Sequence, residues 1–199
     1  MLSEHIETES VFRSMQIPCI QVDVNKEQSL HPNHEPAISR DSILVVTKRS
    51  RFERDHTELR LSEADLLRRY AQMGESGSRI RSSHERQLHA VAACQRELHS
   101  DQIIRLEELK ERIASGSVKA VVALGGDDFL KLVAEQIEDL PVLGVNSDPI
   151  ASRGALLSTS IDQLPEAIDD LEAGRYRIER WTRIELSIDG VGRGRALND

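Results

Sequence analysis

The sequence predicts an α/β fold, an open and mostly parallel Rossmann-like sheet with helices between its strands. Three observations carry this. The runs Ile43–Thr47, Val118–Leu124 and Pro141–Val145 are apolar but for Lys119 and the terminal Thr47, as strands buried on both faces are. Stretches with helical spacing of apolar residues separate them. Two runs end in Gly-Gly-Asp and Asn-Ser-Asp, the residue types expected in loops at the carboxyl edge of such a sheet, where ligands bind.

Residues 1–40 are polar, with Pro18, Pro32 and Pro36, and read as an extension containing a short strand at Ile17–Val24. His31 and His34 lie in a Pro-rich tract, where a solvated tail outweighs a metal pair. The α/β domain spans 41–178. After its first strand, Ser62-Glu63-Ala64-Asp65 resembles a capping box, with Leu61 and Leu66 placed as a hydrophobic staple. This helix should stop near Gly74. A second should begin near Ser83 and bury Leu88, Val91, Ala92, Gln95 and Leu98. Residues 102–106 fit either a short strand or the start of a helix ending near Ser115.

The central run then enters Gly125-Gly126-Asp127-Asp128, and Phe129, Leu130, Val133, Ala134 and Ile137 follow at helical spacing. After the third run comes Asn146-Ser147-Asp148-Pro149, and a further helix should span 163–173 and close at Gly174. From Trp181 the period changes to two, with Ile184, Leu186 and Ile188 alternating with polar residues and Asp189-Gly190 as a hairpin signal. Residues 179–199 therefore read as the first strands of a second, unfinished β domain, with an apolar face and strand edge left bare.

The net charge of −8 argues against a nucleic-acid binder, which is normally basic. It leaves phosphorylated small molecules open, because backbone amides and a bound metal act locally. Cys19 and Cys94 are the two cysteines, too few for a disulfide framework or zinc site, so a reducing cytoplasm is the expectation. No apolar run approaches the ~20 residues of a membrane span. The first nine residues carry three acids and no arginine, unlike a presequence.

Gly125-Gly126-Asp127 between strand and helix has a chemical reading. Glycines admit a phosphate close to the backbone and supply unusual φ angles, and a helix amino terminus favours anions. Asp127 could orient a hydroxyl or hold Mg²⁺. The plainer alternative is a tight turn with Asp127 as a helix cap. Lys48, Arg49 and Arg51 could reach a triphosphate, or form a solvated basic loop.

Two resemblances attach to these residues. Gly125-Gly126-Asp127-Asp128-Phe129 resembles the signature pentapeptide of diguanylate cyclases, which lies in a β-hairpin. A far longer stretch, from about residue 41 to the end, resembles NAD kinases, in particular the mitochondrial-type branch and its bacterial relatives. It is carried by Ser42–Thr47, Arg51-Phe52-Glu53-Arg54, Leu61–Leu66, the Gly-Gly-Asp turn, Pro141–Pro149 with Gly154, and Arg195-Ala196-Leu197-Asn198-Asp199.

This resemblance implies transfer of the ATP γ-phosphoryl group to the 2′-hydroxyl of NAD, with Mg²⁺, in a homo-oligomer whose ligands are small nucleotides. It casts Asp127 as the catalytic carboxylate. Gly125, Gly126, Asp128, Asn146 and Asp148 would line the nucleotide, with Lys48 and Arg49 nearby, and Asn198 with Asp199 would contact the NAD ribose. Three departures stand against the family pattern. Asp128-Phe129 replaces Gly followed by Thr or Ser, Asp199 stands where Glu is usual, and most of the second domain's sheet is absent. The alternatives are a nucleotide-binding remnant, one subunit of a split kinase, or a sugar or lipid kinase of the same superfamily.

Overall fold

The computed structural model describes residues 10–22, 35–189 and 191–197. His31, His34, Gly190, Asn198 and Asp199 lie outside them. The elements run β1 (Ser10–Gln21), β2 (Ile43–Thr47), α1 (Arg51–Leu59), α2 (Glu63–Gln72), α3 (Gly77–Glu97), β3 (Ile103–Arg105), α4 (Leu109–Ala114), β4 (Ala120–Gly125), α5 (Asp127–Gln136), β5 (Val142–Asn146), β6 (Thr159–Ser160), α6 (Leu164–Glu172), β7 (Arg177–Ile188) and β8 (Val191–Leu197).

One sheet contains every strand, in the order β3-β2-β4-β5-β1-β7-β8, with β6 beside the end of β5. The pairs among β1 to β6 are parallel, and β7 and β8 add antiparallel. All residues of β2, β4 and β5 are buried, as their unbroken apolar runs require. Side chains alternate across each strand, so the core divides in two. Val45, Val122 and Val145 meet Ala90 and Cys94 of α3 and Leu164, Ile168 and Leu171 of α6. Val46, Val121 and Ala123 meet Leu109 of α4 and Leu130, Val133 and Ala134 of α5 on the opposite face. The chain leaves β2 toward β3 and returns to β4 on the other side, so a topological switch point opens between β2 and β4.

Local chemistry sets the ends of several helices. Ser62 accepts from the Asp65 amide at 3.2 Å to open α2, and Gly74 lies just beyond its end at φ +74°. Gly174 follows α6 at φ +67°, the left-handed conformation in which glycine carries no steric cost.

Three expectations are corrected. α3 begins six residues before Ser83, and its buried face is Gln87, Ala90 and Cys94, whereas Leu88 is 51% exposed. The helix is turned so that Gln87 faces inward beside the core residues Ala90 and Cys94. Second, the amino-terminal strand is twelve residues long and lies inside the sheet. It pairs with β7 along its whole length, from Ser10 opposite Ile188 to Gln21 opposite Arg177. The antiparallel strands therefore extend the main sheet, and β7 has a hydrogen-bonded neighbour on each side.

Third, β7 turns a charged residue inward. Ile184 is 38% exposed, while Arg183 is fully buried and donates from Nη1 to the carbonyls of Ala134, at 2.7 Å, and Ile137. Those carbonyls end α5, where the helix leaves acceptors unsatisfied and a partial negative charge. A guanidinium answers both needs. Among the described residues no helix is long and apolar enough to cross a membrane.

Candidate active site

The strand register assembles the site. Thr47 at the end of β2 lies opposite Leu124, and Gly125 at the end of β4 lies opposite Asn146 at the end of β5. Lys48 and Arg49, the Gly126–Asp128 turn and Asn146 therefore share the carboxyl edge, beside the switch point. The structure brings these expected residues together and leaves Lys48 half-buried and Arg49 and Asp128 exposed. Arg49 approaches Glu107 at 4.0 Å. Arg51, by contrast, faces Asp55 and Glu75 at 3.4 and 2.7 Å and lies over the Tyr70 ring.

Gly126 is the N-cap of α5, whose first two residues are Asp127 and Asp128. A helix therefore follows the turn directly, and the β-hairpin of the cyclase resemblance is excluded. The glycines act through space and not through φ. Gly126 has φ −110° and ψ −176°, an extended backbone open to any residue. A Cβ on Gly125 would sit 2.7–2.9 Å from the Phe129 side chain, whereas one on Gly126 would find only Ser152 Oγ at 3.7 Å and Ser152 Cβ at 3.9 Å. Gly125 is required by packing, and Gly126 leaves room beside the helix amino terminus.

Asp127 does not cap its own helix. Its Oδ2 accepts from the Ala155 amide at 3.0 Å and its Oδ1 from the Leu156 amide at 2.9 Å. The carboxylate thus grips the far end of the loop after β5, and each oxygen keeps a lone pair for another donor. The near end of that loop is held by Asn146. Its Oδ1 accepts from the Asp148 amide at 3.0 Å, and its Nδ2 donates to Ser152 O at 3.0 Å. Gly154, at φ +65°, passes so close that a Cβ would meet Asn146 Nδ2 at 2.7 Å. Ile150 at the loop's crest is 78% exposed.

Asp148 is buried against α3. Its Oδ1 accepts from Arg86 Nε and its Oδ2 from Ser83 Oγ, both at 2.6 Å, and Ala151 N adds a third donor at 3.1 Å. Burial is the largest influence and opposes its charge, but the bonds from Arg86, Ser83 and Ala151 outweigh it and hold the carboxyl below its ordinary range. Ser147 Oγ donates to Gln87 Oε1 at 2.6 Å. On the β2 side, Ser50 accepts from Glu53 N to cap α1 and lies 2.7 Å from His84 Nδ1. His84 stacks on Phe52 at 5.2 Å between ring centroids.

Ser83, His84, Arg86 and Gln87 had no part in the site as read from the sequence, where Ser83 served only to mark a helix start. The available signal was the placement of Ser83 and Gln87 on the stripe of Ala90 and Cys94, at spacings of four, three and four. Among the described residues no group of three His, Cys, Asp or Glu converges as a metal site.

Fold and site together define an α/β protein with a Gly-Gly-Asp turn at the switch point of a mostly parallel sheet. Comparison with known proteins narrows this class. The chain is 30% identical over 161 residues to proteins named NAD kinase 2, mitochondrial, from Xenopus tropicalis and Homo sapiens. Those alignments cover 75% of this chain and 38% and 36% of the two relatives. It is also 35% identical over 88 residues to the NAD kinase of Clostridium perfringens, covering 42% of this chain and 31% of that one. The chain is a relative of the NAD kinases, and it spans less than two-fifths of the length of these proteins. No protein-family model matches it, and no solved structure matches it significantly.

Proposed function

We propose that this chain carries the nucleotide-binding and catalytic α/β part of an NAD kinase, which transfers the γ-phosphoryl group of ATP to the 2′-hydroxyl of NAD to give NADP. One observation carries the reading. Asp127 follows a glycine turn at the end of a central strand, two residues beyond Gly125, the register partner of Asn146, in a chain whose relatives are NAD kinases. In the reaction the ribose O2′ attacks Pγ, the O2′–Pγ bond forms, and the bond from Pγ to the β,γ-bridging oxygen breaks to release ADP. The hydroxyl proton passes toward Asp127, whose remaining lone pairs can receive it. Such a transfer needs chiefly positioning and charge neutralisation.

Gly126 and the α5 amino terminus would receive phosphate oxygens, and Lys48 and Arg49 would add positive charge from the β2 side. Asn146 and Asp148 would shape the adjoining loop, and Asn198 and Asp199 would contact the NAD ribose. Mg²⁺ is usually held by substrate phosphates and only one or two carboxylates. The exposed Asp128 fits that requirement, and the ion would offset phosphate charge there. Asp128 in place of the family's glycine also favours a second reading, a nucleotide-binding protein without turnover. The test is NADP formation from NAD and Mg-ATP, followed with an NADP-specific dehydrogenase. Turnover supports the kinase, ATP binding without NADP supports the second reading, and absence of both defeats the proposal.

A further inference from the structure

We propose that one turn of α3, from Ser83 to Gln87, is a positioning brace that sets the geometry of the carboxyl-edge site. The proposal rests on the nucleotide reading above and adds residues to which that reading gives no part. The turn reaches the loops on both sides of the Gly126 turn. Toward β2, His84 Nδ1 lies 2.7 Å from Ser50 Oγ, next to Arg49. Toward β5, Gln87 holds Ser147 and Arg86 with Ser83 holds Asp148.

From Asp148 the connection continues through bonded groups. The Asp148 amide fixes Asn146 Oδ1, Asn146 Nδ2 fixes Ser152 O, and the loop ends in the two amides that Asp127 accepts. These polar contacts, with the backbone from Ser152 to Ala155 between them, join a helix in the core to the carboxylate at the site. Asp148 is 4% exposed, where an unmatched polar group is costly, and Arg86, Ser83 and Ala151 match both of its oxygens. A solvated helix face would show none of this burial. Ser83, His84, Arg86 and Gln87 are positioning residues, since they act through the loops.

The test is amide hydrogen exchange on the 199-residue chain. Arg86→Met removes the two guanidinium donors to Asp148 and leaves those of Ser83 and Ala151. Exchange at the Ala155 and Leu156 amides should quicken at least about tenfold, while the β4 amides of Val121 and Val122 keep their protection. Arg86→Lys, which retains charge and one donor, should recover part of the loss, and Mg-ATP affinity should fall and recover in the same order. Ser83→Ala serves as the milder variant if Arg86→Met does not fold, with quickening of about threefold at the same two amides. Unchanged exchange at Ala155 and Leu156, or equal quickening in β4, would overturn the brace. If exchange responds as expected but no variant binds Mg-ATP, the brace stands and the nucleotide reading fails.

Discussion

Gly154→Ala tests the loop geometry against an internal control. Gly154 has φ +65°, and an added Cβ would lie 2.7 Å from Asn146 Nδ2 and 2.9 Å from Leu157 Cδ1. Gly116 has φ +76° with nothing within 4 Å of the same position. Forcing alanine into the left-handed region costs about 1–2 kcal/mol, offset by roughly 0.4–1 kcal/mol from the stiffer unfolded chain. Gly116→Ala should therefore lose about 1 kcal/mol. At Gly154, crowding adds about 1–3 kcal/mol, and an Asn146 side chain pushed aside loses its bond to Ser152 O, worth about 1 kcal/mol. The expected total is about 3–5 kcal/mol. For a chain of this size each kcal/mol lowers Tm by roughly 2–4 °C. Thermal unfolding should then place Gly154→Ala about 6–20 °C below wild type and Gly116→Ala only about 2–4 °C below it. Equal losses would refute the reasoning, because they would leave backbone strain as the whole effect and remove Asn146 from contact.

Asp127→Asn should lower kcat by at least about 100-fold in protein that turns over, with a smaller effect on ATP affinity, and steady-state kinetics decide it. Asp128→Gly should weaken Mg-ATP binding, because it removes the carboxylate that would help hold the ion; binding tightened by about fourfold in calorimetry, the repulsion of two charges ~5 Å apart in bulk-water dielectric, would instead show that Asp128 only repels the phosphates. Arg183→Met should destabilise the chain to urea by about 2–4 kcal/mol, since it leaves the α5 carbonyls unmatched in the core. The Asp148 carboxyl is held below its unfolded value, so its contribution is present above about pH 4 and is lost as pH falls through the folded value. Arg86→Met, which removes the largest of the influences that lower it and leaves the bonds from Ser83 and Ala151, should flatten the loss of stability on acidification. Burial raises both Cys19 and Cys94 to about 12, so a thiol reagent at pH 8 should label neither until the chain unfolds.

The parts of the fold that were legible in the sequence are those where burial is uniform. β2, β4 and β5 are buried at every position, so all their residues are apolar or glycine except Thr47 and Asn146 at the carboxyl edge. The Ser62 cap and the glycine beyond α2 were legible because each satisfies a local backbone need. What escaped depends on distant partners. Arg183 looks like an outward residue of an alternating strand, and only the packing of β7 under the end of α5 makes its burial favourable. Residues 1–40 read as a polar extension with only a short strand at Ile17–Val24, yet Ile17, Cys19 and Ile20 are buried inside the sheet, where β7 supplies twelve partners along β1.

The same division runs through the site. The Gly-Gly-Asp turn and Asn146 could be singled out because strand ends gather at one edge. The bonds from Asp127 to Ala155 and Leu156 could not, since they span 28 and 29 residues and rest on loop conformation. The α3 residues were hidden by a further rule of thumb. Serine, arginine and glutamine on a helix usually face water, and here they face a loop that needs donors.

The measurement closest to the central claim is a two-dimensional ¹H–¹⁵N titration of the chain with Mg-ATP. The account predicts shifts concentrated at Gly125–Asp128, Lys48–Ser50 and Asn146, diminished when Gly126 is replaced by a residue whose side chain fills the space beside Ser152. Shifts centred elsewhere, or none at saturating Mg-ATP, would contradict it.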